Sequence, residues 1–317
     1  MAKLETTTFG STGMEITRVG FGAWAIGGGD WKFGWGPQDD DESVEAIGRA
    51  LDGGVNWIDT AAAYGFGRSE KVVGRAIKDL PAQRRPYVFT KCGRVPGAGG
   101  AVMGSLKRDS VLREAEASLE RLGVDAIDLY QIHWPDPEAD IAEGWSALAE
   151  LKERGLVKHI GVSSFNADQM RKISGIAPVE TLQPPYSLIN TGAEKEILPF
   201  AKEQGTGVIV YSPMGSGLLS GKMTRERIEA MPAGDWRKRA AAFTEPALTA
   251  NLALAGRLGK VADRHGVAPG TVAVAWTLRN PAVDAAIVGF RRPDQVDPLL
   301  PAANLRLTDD DVAEIAG

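Results

Sequence analysis

Short apolar runs alternate with helix-like patterns from one end of the chain to the other. The runs are rich in Val, Ile, Leu and aromatic residues and end at polar or glycine-containing segments, which is typical of strands. Between them lie amphipathic stretches such as 109–122, in which we expect Asp109 to cap the first turn and Gly123 to end the helix. The eight predicted strands are residues 18–26, 55–61, 87–93, 126–134, 157–165, 181–188, 207–214 and 285–290.

This alternation predicts a closed (β/α)8 barrel of the TIM type. The chain of 317 residues is within the usual size of one such barrel, and no Pro/Ser-rich linker divides it, so we expect a single domain over 1–317. The alternative is a doubly wound sheet, which normally binds its nucleotide at a G-x-G-x-x-G turn. The segments 20–25, 65–70 and 215–220 all lack the last glycine, so the sequence favours the barrel.

Two segments lie outside the regular alternation. Residues 9–20 contain the turn Ser11-Thr12-Gly13, which predicts an N-terminal β-hairpin covering the bottom of the barrel. After the seventh strand, residues 215–247 form the longest stretch without a strand. Loops of this length are usually functional or mobile, so we expect residues 223–247 to shape the substrate pocket and fold over bound cofactor.

Composition narrows the class of protein. The formal net charge is −5 and the one dense basic run, 236–239, is short, so we expect no nucleic-acid partner. Cys92 is the single cysteine, which excludes an internal disulfide, argues against a metal site and fits a reducing cytoplasm. The chain has neither a signal-peptide pattern nor an apolar run of about 18 residues. We therefore expect a cytoplasmic protein with no membrane partner.

Three neighbouring strands are predicted to end in inward-facing polar side chains. Because inward residues alternate along a barrel strand, Asp59, Lys91 and His133 all fall on the inward face. Tyr64 follows Asp59 closely enough to fold back over the same mouth, where barrel enzymes carry their chemistry. An unpaired buried charge is costly, so we expect Asp59 and Lys91 to form an ion pair.

These four residues suit the transfer of a proton to a carbonyl oxygen. Tyrosine has an ordinary pKa of about 10, and an adjacent ammonium group such as that of Lys91 lowers this pKa. Asp59 can orient Lys91, and His133 can hydrogen-bond the oxygen that receives the proton. The alternative is a purely structural ion pair with Tyr64 and His133 filling space at the rim. Any one residue alone favours that alternative, whereas the four together favour proton transfer.

Ordered motifs along the chain resemble those of the aldo-keto reductase family. They are GVNWIDTAAAYGFGRSEKVVG, FTKCG, QIHWPDP, GVSSFN, YSPMGSGLLSGK and GFRRPDQ. The match covers nearly the whole chain and is most similar to bacterial members on the branch related to potassium-channel β subunits. The resemblance implies a (β/α)8 barrel that uses NADPH, with a catalytic tetrad of Asp59, Tyr64, Lys91 and His133.

The resemblance implies the reversible reduction of an aldehyde or ketone to an alcohol. A hydride passes from NADPH to the carbonyl carbon while Tyr64 protonates the oxygen. One alternative is an NADPH-binding regulatory protein that senses redox state and has slow residual reductase activity. Loss of the tetrad histidine would indicate such a protein, and this chain keeps His133. Another is a barrel isomerase or aldolase with Lys91 as a Schiff base, which leaves the nicotinamide-site residues unexplained.

The resemblance also implies where NADPH is held. The nicotinamide contacts are Ser163, Ser164, Gln183 and Tyr211, and Trp24 is expected to contact the cofactor as well. The pyrophosphate contacts are Ser212, Pro213, Met214, Gly215, Ser216, Gly217 and Lys222, with Arg237 as a further clamp. The adenosine 2′-phosphate contacts are Gly289, Arg291, Arg292 and Gln295.

The remaining expectations concern adenine and the carbonyl substrate. Pro298 and Leu299 replace a Glu-Asn pair that is usual in the family, which leaves the adenine contact open. Trp31 and Trp134, together with Trp24, are candidates for the rim of the substrate pocket. The expected partner is a small carbonyl compound.

Overall fold

Eight parallel strands close into a barrel. The computed structural model describes residues 3–29, 31–232 and 234–317. Each strand pairs with the next along the chain, and the last pairs with the first, so the predicted (β/α)8 barrel is confirmed. The strands are β1 (Val19–Gly22), β2 (Trp57–Asp59), β3 (Tyr87–Cys92), β4 (Ile127–Ile132), β5 (Val157–Ser163), β6 (Thr181–Gln183), β7 (Gly207–Val210) and β8 (Ala285–Gly289).

Each observed strand lies inside its predicted range, and all eight end earlier than expected. The strand β6 ends at Gln183 because Pro184 and Pro185 have no N–H to donate to a ladder. The helices are α1 (Asp40–Asp52), α2 (Arg68–Ile77), α3 (Arg108–Leu122), α4 (Ile141–Glu153), α5 (Ala167–Ser174), α6 (Ile197–Gln204), α7 (Arg225–Glu229), α8 (Ala247–His265), α9 (Pro269–Thr277) and α10 (Asp309–Ala316).

The predicted cap of α3 was wrong at its N-terminus and correct at its C-terminus. Asp109 lies inside the first turn, and the Glu143 carboxylate from α4 accepts the Arg108 N–H instead. Gly123 adopts the left-handed conformation with φ of 66° and its N–H closes the last turn. A cap supplied by another helix cannot be recognised from local sequence.

The N-terminal hairpin covers the floor of the barrel, as predicted. Its strands, Thr6–Thr8 and Glu15–Thr17, pair antiparallel. Phe9 is fully buried and stacks on Phe89 of β3 at 5.9 Å between ring centroids. The hairpin approaches the barrel so closely that a Cβ on Gly207 would lie 2.6 Å from the Phe9 ring. The floor is therefore sealed by apolar packing.

The mouth of the barrel is formed at the opposite, carboxyl ends of the strands. A second hairpin, with strands Arg94–Pro96 and Val102–Gly104, follows β3. After β7 the chain forms α7 and two short 3₁₀ turns, Trp236–Arg239 and Ala241–Phe243, before α8 begins. Both segments contribute side chains to one cavity at the mouth. Within the described ranges, no helix is both long and apolar enough to span a bilayer.

Candidate active site

A buried ion pair lies at the bottom of the mouth cavity. Lys91 Nζ donates to Asp59 Oδ2 at 2.6 Å and to the Thr60 carbonyl at 2.9 Å, so the predicted pairing is confirmed. The two charged side chains come from adjacent strands, β2 and β3, which fixes their separation. Burial raises the pKa of Asp59 and lowers the pKa of Lys91, whereas their mutual attraction favours both charged forms.

Tyr64 lies against this pair from the loop that follows β2. Its hydroxyl is 3.5 Å from Lys91 Nζ. Burial raises the pKa of Tyr64 well above its ordinary value, and the Asp59 charge adds to the shift. The expected net lowering of this pKa is not found in the protein alone, because desolvation and the Asp59 charge outweigh the attraction of the Lys91 ammonium. Tyr64 consequently keeps its proton at neutral pH.

His133 presents a neutral imidazole beside Tyr64. The two rings meet edge to face, with centroids 5.6 Å apart. Burial lowers the pKa of His133 well below its ordinary value, and the charges of Lys91 and Arg94 act in the same direction. Nδ1 of His133 is shielded from solvent and has no partner among the described residues. A neutral ring with an unpaired nitrogen can hydrogen-bond a ligand oxygen.

Gln183 and the two predicted serines form a network next to Asp59. Gln183 Nε2 donates to Asp59 Oδ1 at 2.8 Å, and Ser163 Oγ donates to the Gln183 carbonyl at 3.0 Å. Ser164 Oγ is 3.3 Å from Tyr211 Oη, and its backbone has a φ of 61°. A non-glycine residue in the left-handed region is uncommon and is held there only by its surroundings. The network fixes the polar wall beside the ion pair.

One cavity of about 770 Å³ joins these groups to the predicted cofactor residues. Its volume suits a dinucleotide together with a small molecule. All predicted site residues line it except Lys91, Ser164 and Gly215. Lys91 and Ser164 contact residues that do line the cavity, and the Gly215 N–H donates to the Ser212 carbonyl.

Aromatic rings form the outer wall of the cavity. Trp24 stacks on Trp236 at 5.5 Å and 17°, and it meets Trp35 edge to face at 5.4 Å. Phe33 meets Trp134 edge to face at 6.3 Å. Phe33 and Trp35 line the cavity although no pattern in the sequence singled them out. The available signal was the aromatic run WKFGW, residues 31–35, in the segment that follows the first predicted strand.

The loop after β7 offers backbone donors to the cavity. Ser212, Ser216 and Gly217 have φ values of 55°, 57° and 92°. No described residue accepts a hydrogen bond from the N–H groups of Met214 and Ser216. Consecutive left-handed turns with free N–H groups form concave anion sites. With Lys222 on the same lining, this loop fits a pyrophosphate.

The two arginines after β8 have different surroundings. The Arg291 guanidinium donates to Gln38 Oε1 at 2.6 Å and to the Trp35 and Pro37 carbonyls, so it fixes the loop that follows β1. Arg292 is 52% exposed and pairs with Asp294 at 3.0 Å. Both arginines line the cavity, and the Arg292 guanidinium is the less constrained of the two, because its described side-chain hydrogen bonds go to Asp294 alone. Sequence alone could not distinguish them.

The Arg237 guanidinium also uses part of its hydrogen-bonding capacity within the protein. It pairs with Asp235 at 2.6 Å and lies over the Trp35 ring at 4.4 Å. Its guanidinium still lines the cavity near Gly217.

Pro298 and Leu299 line the cavity too and offer an apolar surface where the family usually has polar side chains. The described residues contain no group of three or more His, Cys, Asp or Glu placed to bind a metal ion.

Comparison with known proteins defines the class to which this barrel and cavity belong. The aldo/keto reductase family model matches residues 18–317, and the chain belongs to that family. It is 38% identical over 313 residues to the aldo-keto reductase YhdN of Bacillus subtilis (strain 168), covering 98% of this chain and 92% of that protein. The sequence-based identification of the family is confirmed.

Two other relatives carry more specific names. The NADH-specific methylglyoxal reductase of Escherichia coli (strain K12) is 34% identical over 315 residues, covering 95% of this chain and 94% of that protein. The glycerol dehydrogenase AKR11B4 of Gluconobacter oxydans is a solved structure that superposes with a TM-score of 0.87 at 36% identity. That superposition covers 100% of this chain and 95% of the other. One relative is thus named as a reductase and the other as a dehydrogenase.

Proposed function

We propose that this protein is an NADPH-dependent reductase that converts aldehydes or ketones to alcohols reversibly. The observation that carries the proposal is the buried chain formed by Asp59, Lys91 and Tyr64 at the inner end of the cavity, next to the neutral ring of His133. A structural ion pair alone does not account for a neutral imidazole, with one nitrogen unpaired among the described residues, packed edge to face against a protonated tyrosine. Family membership supports the same reaction class.

The chain's own residues hold and move the proton in this reaction. Bound NADPH supplies the hydride. Tyr64 keeps its proton in the resting protein and is positioned to give it to the carbonyl oxygen. Lys91 stabilises the phenolate that remains, and Asp59 keeps Lys91 charged and oriented. His133 donates a hydrogen bond to the same oxygen, which orients the carbonyl.

Backbone and side-chain donors around the cavity are proposed to hold NADPH. The nicotinamide is placed against Tyr211, with Ser163 and Gln183 at its carboxamide. The pyrophosphate is placed on the loop after β7. Arg292 is proposed to bind the 2′-phosphate, because its guanidinium is exposed and its ion-pair partner among the described residues, Asp294, is a surface carboxylate. Preference for NADPH remains a proposal, since one relative is named as NADH-specific.

Turnover of a panel of aldehydes and ketones, followed by the absorbance of reduced nicotinamide, tests the proposal. Tyr64→Phe should lower the reduction rate about 10²–10⁴-fold, because only the proton donor is lost. NADPH affinity, measured by fluorescence titration, should change little. Tyr87→Phe is the matched control, because Tyr87 begins β3 far from the mouth and does not line the cavity.

Two results would contradict the assignment. Tyr64→Phe with rates within a few-fold of the parent would remove Tyr64 from the role of proton donor. Tight NADPH binding by the parent, with slow turnover of every carbonyl in the panel, would favour the regulatory alternative.

A further inference from the structure

Arg94 is a buried cation in the wall of the catalytic cavity that the proposed reaction does not use. It follows β3 and begins the hairpin strand Arg94–Pro96. Its side chain is 7% exposed, and it lines the cavity together with His133 and Trp134. Its charge is close enough to contribute to the lowered pKa of His133. The guanidinium therefore lies at the end of the cavity where the carbonyl is expected to react.

The hydrogen-bonding capacity of Arg94 is only partly used. Nη1 donates to Asp136 Oδ2 at 2.6 Å, and the guanidinium lies 4.3 Å from the centroid of the Trp134 ring. Nε is shielded from solvent without a partner, and no described residue accepts a hydrogen bond from Nη2. Nη2 is therefore the nitrogen of this guanidinium that can donate to an acceptor supplied by a ligand.

The surroundings define what kind of acceptor fits. Trp31, Phe33 and Trp134 provide apolar walls at this end of the cavity. The nearest acidic partner, Asp136, has a side chain that is 59% exposed, so it neutralises Arg94 from the solvent side. A guanidinium with unpaired Nη2 hydrogens favours an anionic oxygen acceptor such as a carboxylate. An aromatic or apolar body would occupy the space between the rings.

We propose that Arg94 binds a carboxylate of the substrate, so that the preferred substrates are aldehydes or ketones that carry a carboxylate on an apolar or aromatic body. This inference rests on the proposed reductase function. Arg94 would contact the substrate directly through Nη2, with Trp134 beneath the guanidinium. Asp136 competes with the substrate carboxylate for the same guanidinium.

The test compares two aldehydes of similar size, 4-carboxybenzaldehyde and 4-methylbenzaldehyde. The measured quantity is the ratio of their kcat/KM values. Arg94→Gln should lower this ratio about tenfold or more, because the charge-assisted hydrogen bond is lost for one substrate alone. Arg94→Lys should restore part of the ratio. Asp136→Asn should raise the ratio above that of the parent, because the competing carboxylate is removed.

A matched control separates this role from a general change of charge. Arg113→Gln makes the same chemical change at an exposed residue of α3 that does not line the catalytic cavity. It should leave the ratio unchanged. If Arg94→Gln slows both aldehydes equally, or if Asp136→Asn leaves the ratio at the parent value, Arg94 serves only to hold Trp134 and the inference is overturned.

A binding measurement keeps the inference separate from the proposed function. 4-(Hydroxymethyl)benzoate resembles the product and should quench the fluorescence of the cavity tryptophans, with about tenfold weaker binding to Arg94→Gln. If the parent reduces neither aldehyde, the proposed function fails and this titration alone decides the inference. Equal affinity of the parent and Arg94→Gln for this ligand would then overturn it.

Discussion

The floor and the mouth of the barrel are built from the same strands, two residues apart. On β2, Trp57 belongs to the floor and Asp59 to the mouth, and on β3 Phe89 is followed in the same way by Lys91. The floor residues pack against one another and against Phe9 from the hairpin. The mouth residues form ion pairs and hydrogen bonds, and several of their neighbours keep unpaired polar atoms.

This difference shows that successive inward-facing residues of one strand can serve different purposes. Those at the floor stabilise the fold, and those at the mouth provide the reactive groups. At the floor, burial of apolar rings stabilises the closed barrel and leaves no group available to a ligand. At the mouth, His133 Nδ1 and Arg94 Nε are shielded but unpaired. Such groups lower stability unless a ligand meets them. The predictions below test this contrast, from the largest expected effect to the smallest.

Lys91→Met should abolish reduction and destabilise the fold. Reduction should fall at least about 10³-fold, because Tyr64 loses the charge that stabilises its phenolate. The free energy of unfolding should fall by about 3–5 kcal/mol, because Asp59 is left buried without its partner. Urea unfolding and steady-state rates measure the two effects.

The double variant Lys91→Met/Asp59→Asn separates the two roles of Lys91. It should regain a substantial part of the stability, because no unpaired charge remains, while activity stays lost. Recovery of activity along with stability would show that the ion pair acts only structurally.

Phe9→Ala should affect the floor alone. The free energy of unfolding should fall by about 3–5 kcal/mol, because a fully buried ring is removed between the hairpin and Phe89. The folded fraction should keep the parent's KM for NADPH, since Phe9 does not line the cavity. Thr6→Ala, at an exposed position of the same hairpin, is the control for urea unfolding. A large change in KM would mean that floor and mouth are coupled.

Arg292→Gln should raise the KM for NADPH about tenfold and leave that for NADH nearly unchanged, because only NADPH carries the 2′-phosphate. Arg291→Gln should raise both KM values together, because Arg291 holds the loop at Trp35 and Pro37 rather than the phosphate. Steady-state kinetics with each cofactor distinguish the two. If Arg292→Gln changed the KM for NADPH and the KM for NADH equally, Arg292 would be an ordinary surface charge with no role in binding the 2′-phosphate.

Limited proteolysis of the segment 223–247 should show the smallest effect, a few-fold slower cleavage at saturating NADPH. Trp236 already stacks on Trp24, so bound cofactor is expected to stabilise a conformation that the segment largely has. Cleavage at sites in α10 serves as the internal control. Identical rates with and without NADPH would exclude a clamp, although the fixed contribution of Trp236 to the cavity wall would remain.

Local patterns in the sequence were sufficient to predict the barrel, its eight strands and the inward direction of Asp59 and Lys91. The reason is that strand alternation and the length of apolar runs depend only on neighbouring residues. The same patterns also placed the hairpin and its turn, because turn residues act locally. The order of the family motifs, rather than any single residue, indicated the reaction class.

Only the tertiary structure decided which polar groups already have hydrogen-bond or ion-pair partners within the protein. Arg291 bonds a loop about 250 positions earlier in the chain, and Gln183 bonds Asp59 across 124 positions. The raised pKa of Tyr64 and the unpaired Nε of Arg94 likewise depend on burial by distant segments. Closure of the barrel determines the hydrogen-bond partners and the desolvation of these groups. It brings together residues that are far apart in the chain, and the sequence around one residue does not indicate which distant residue will contact it.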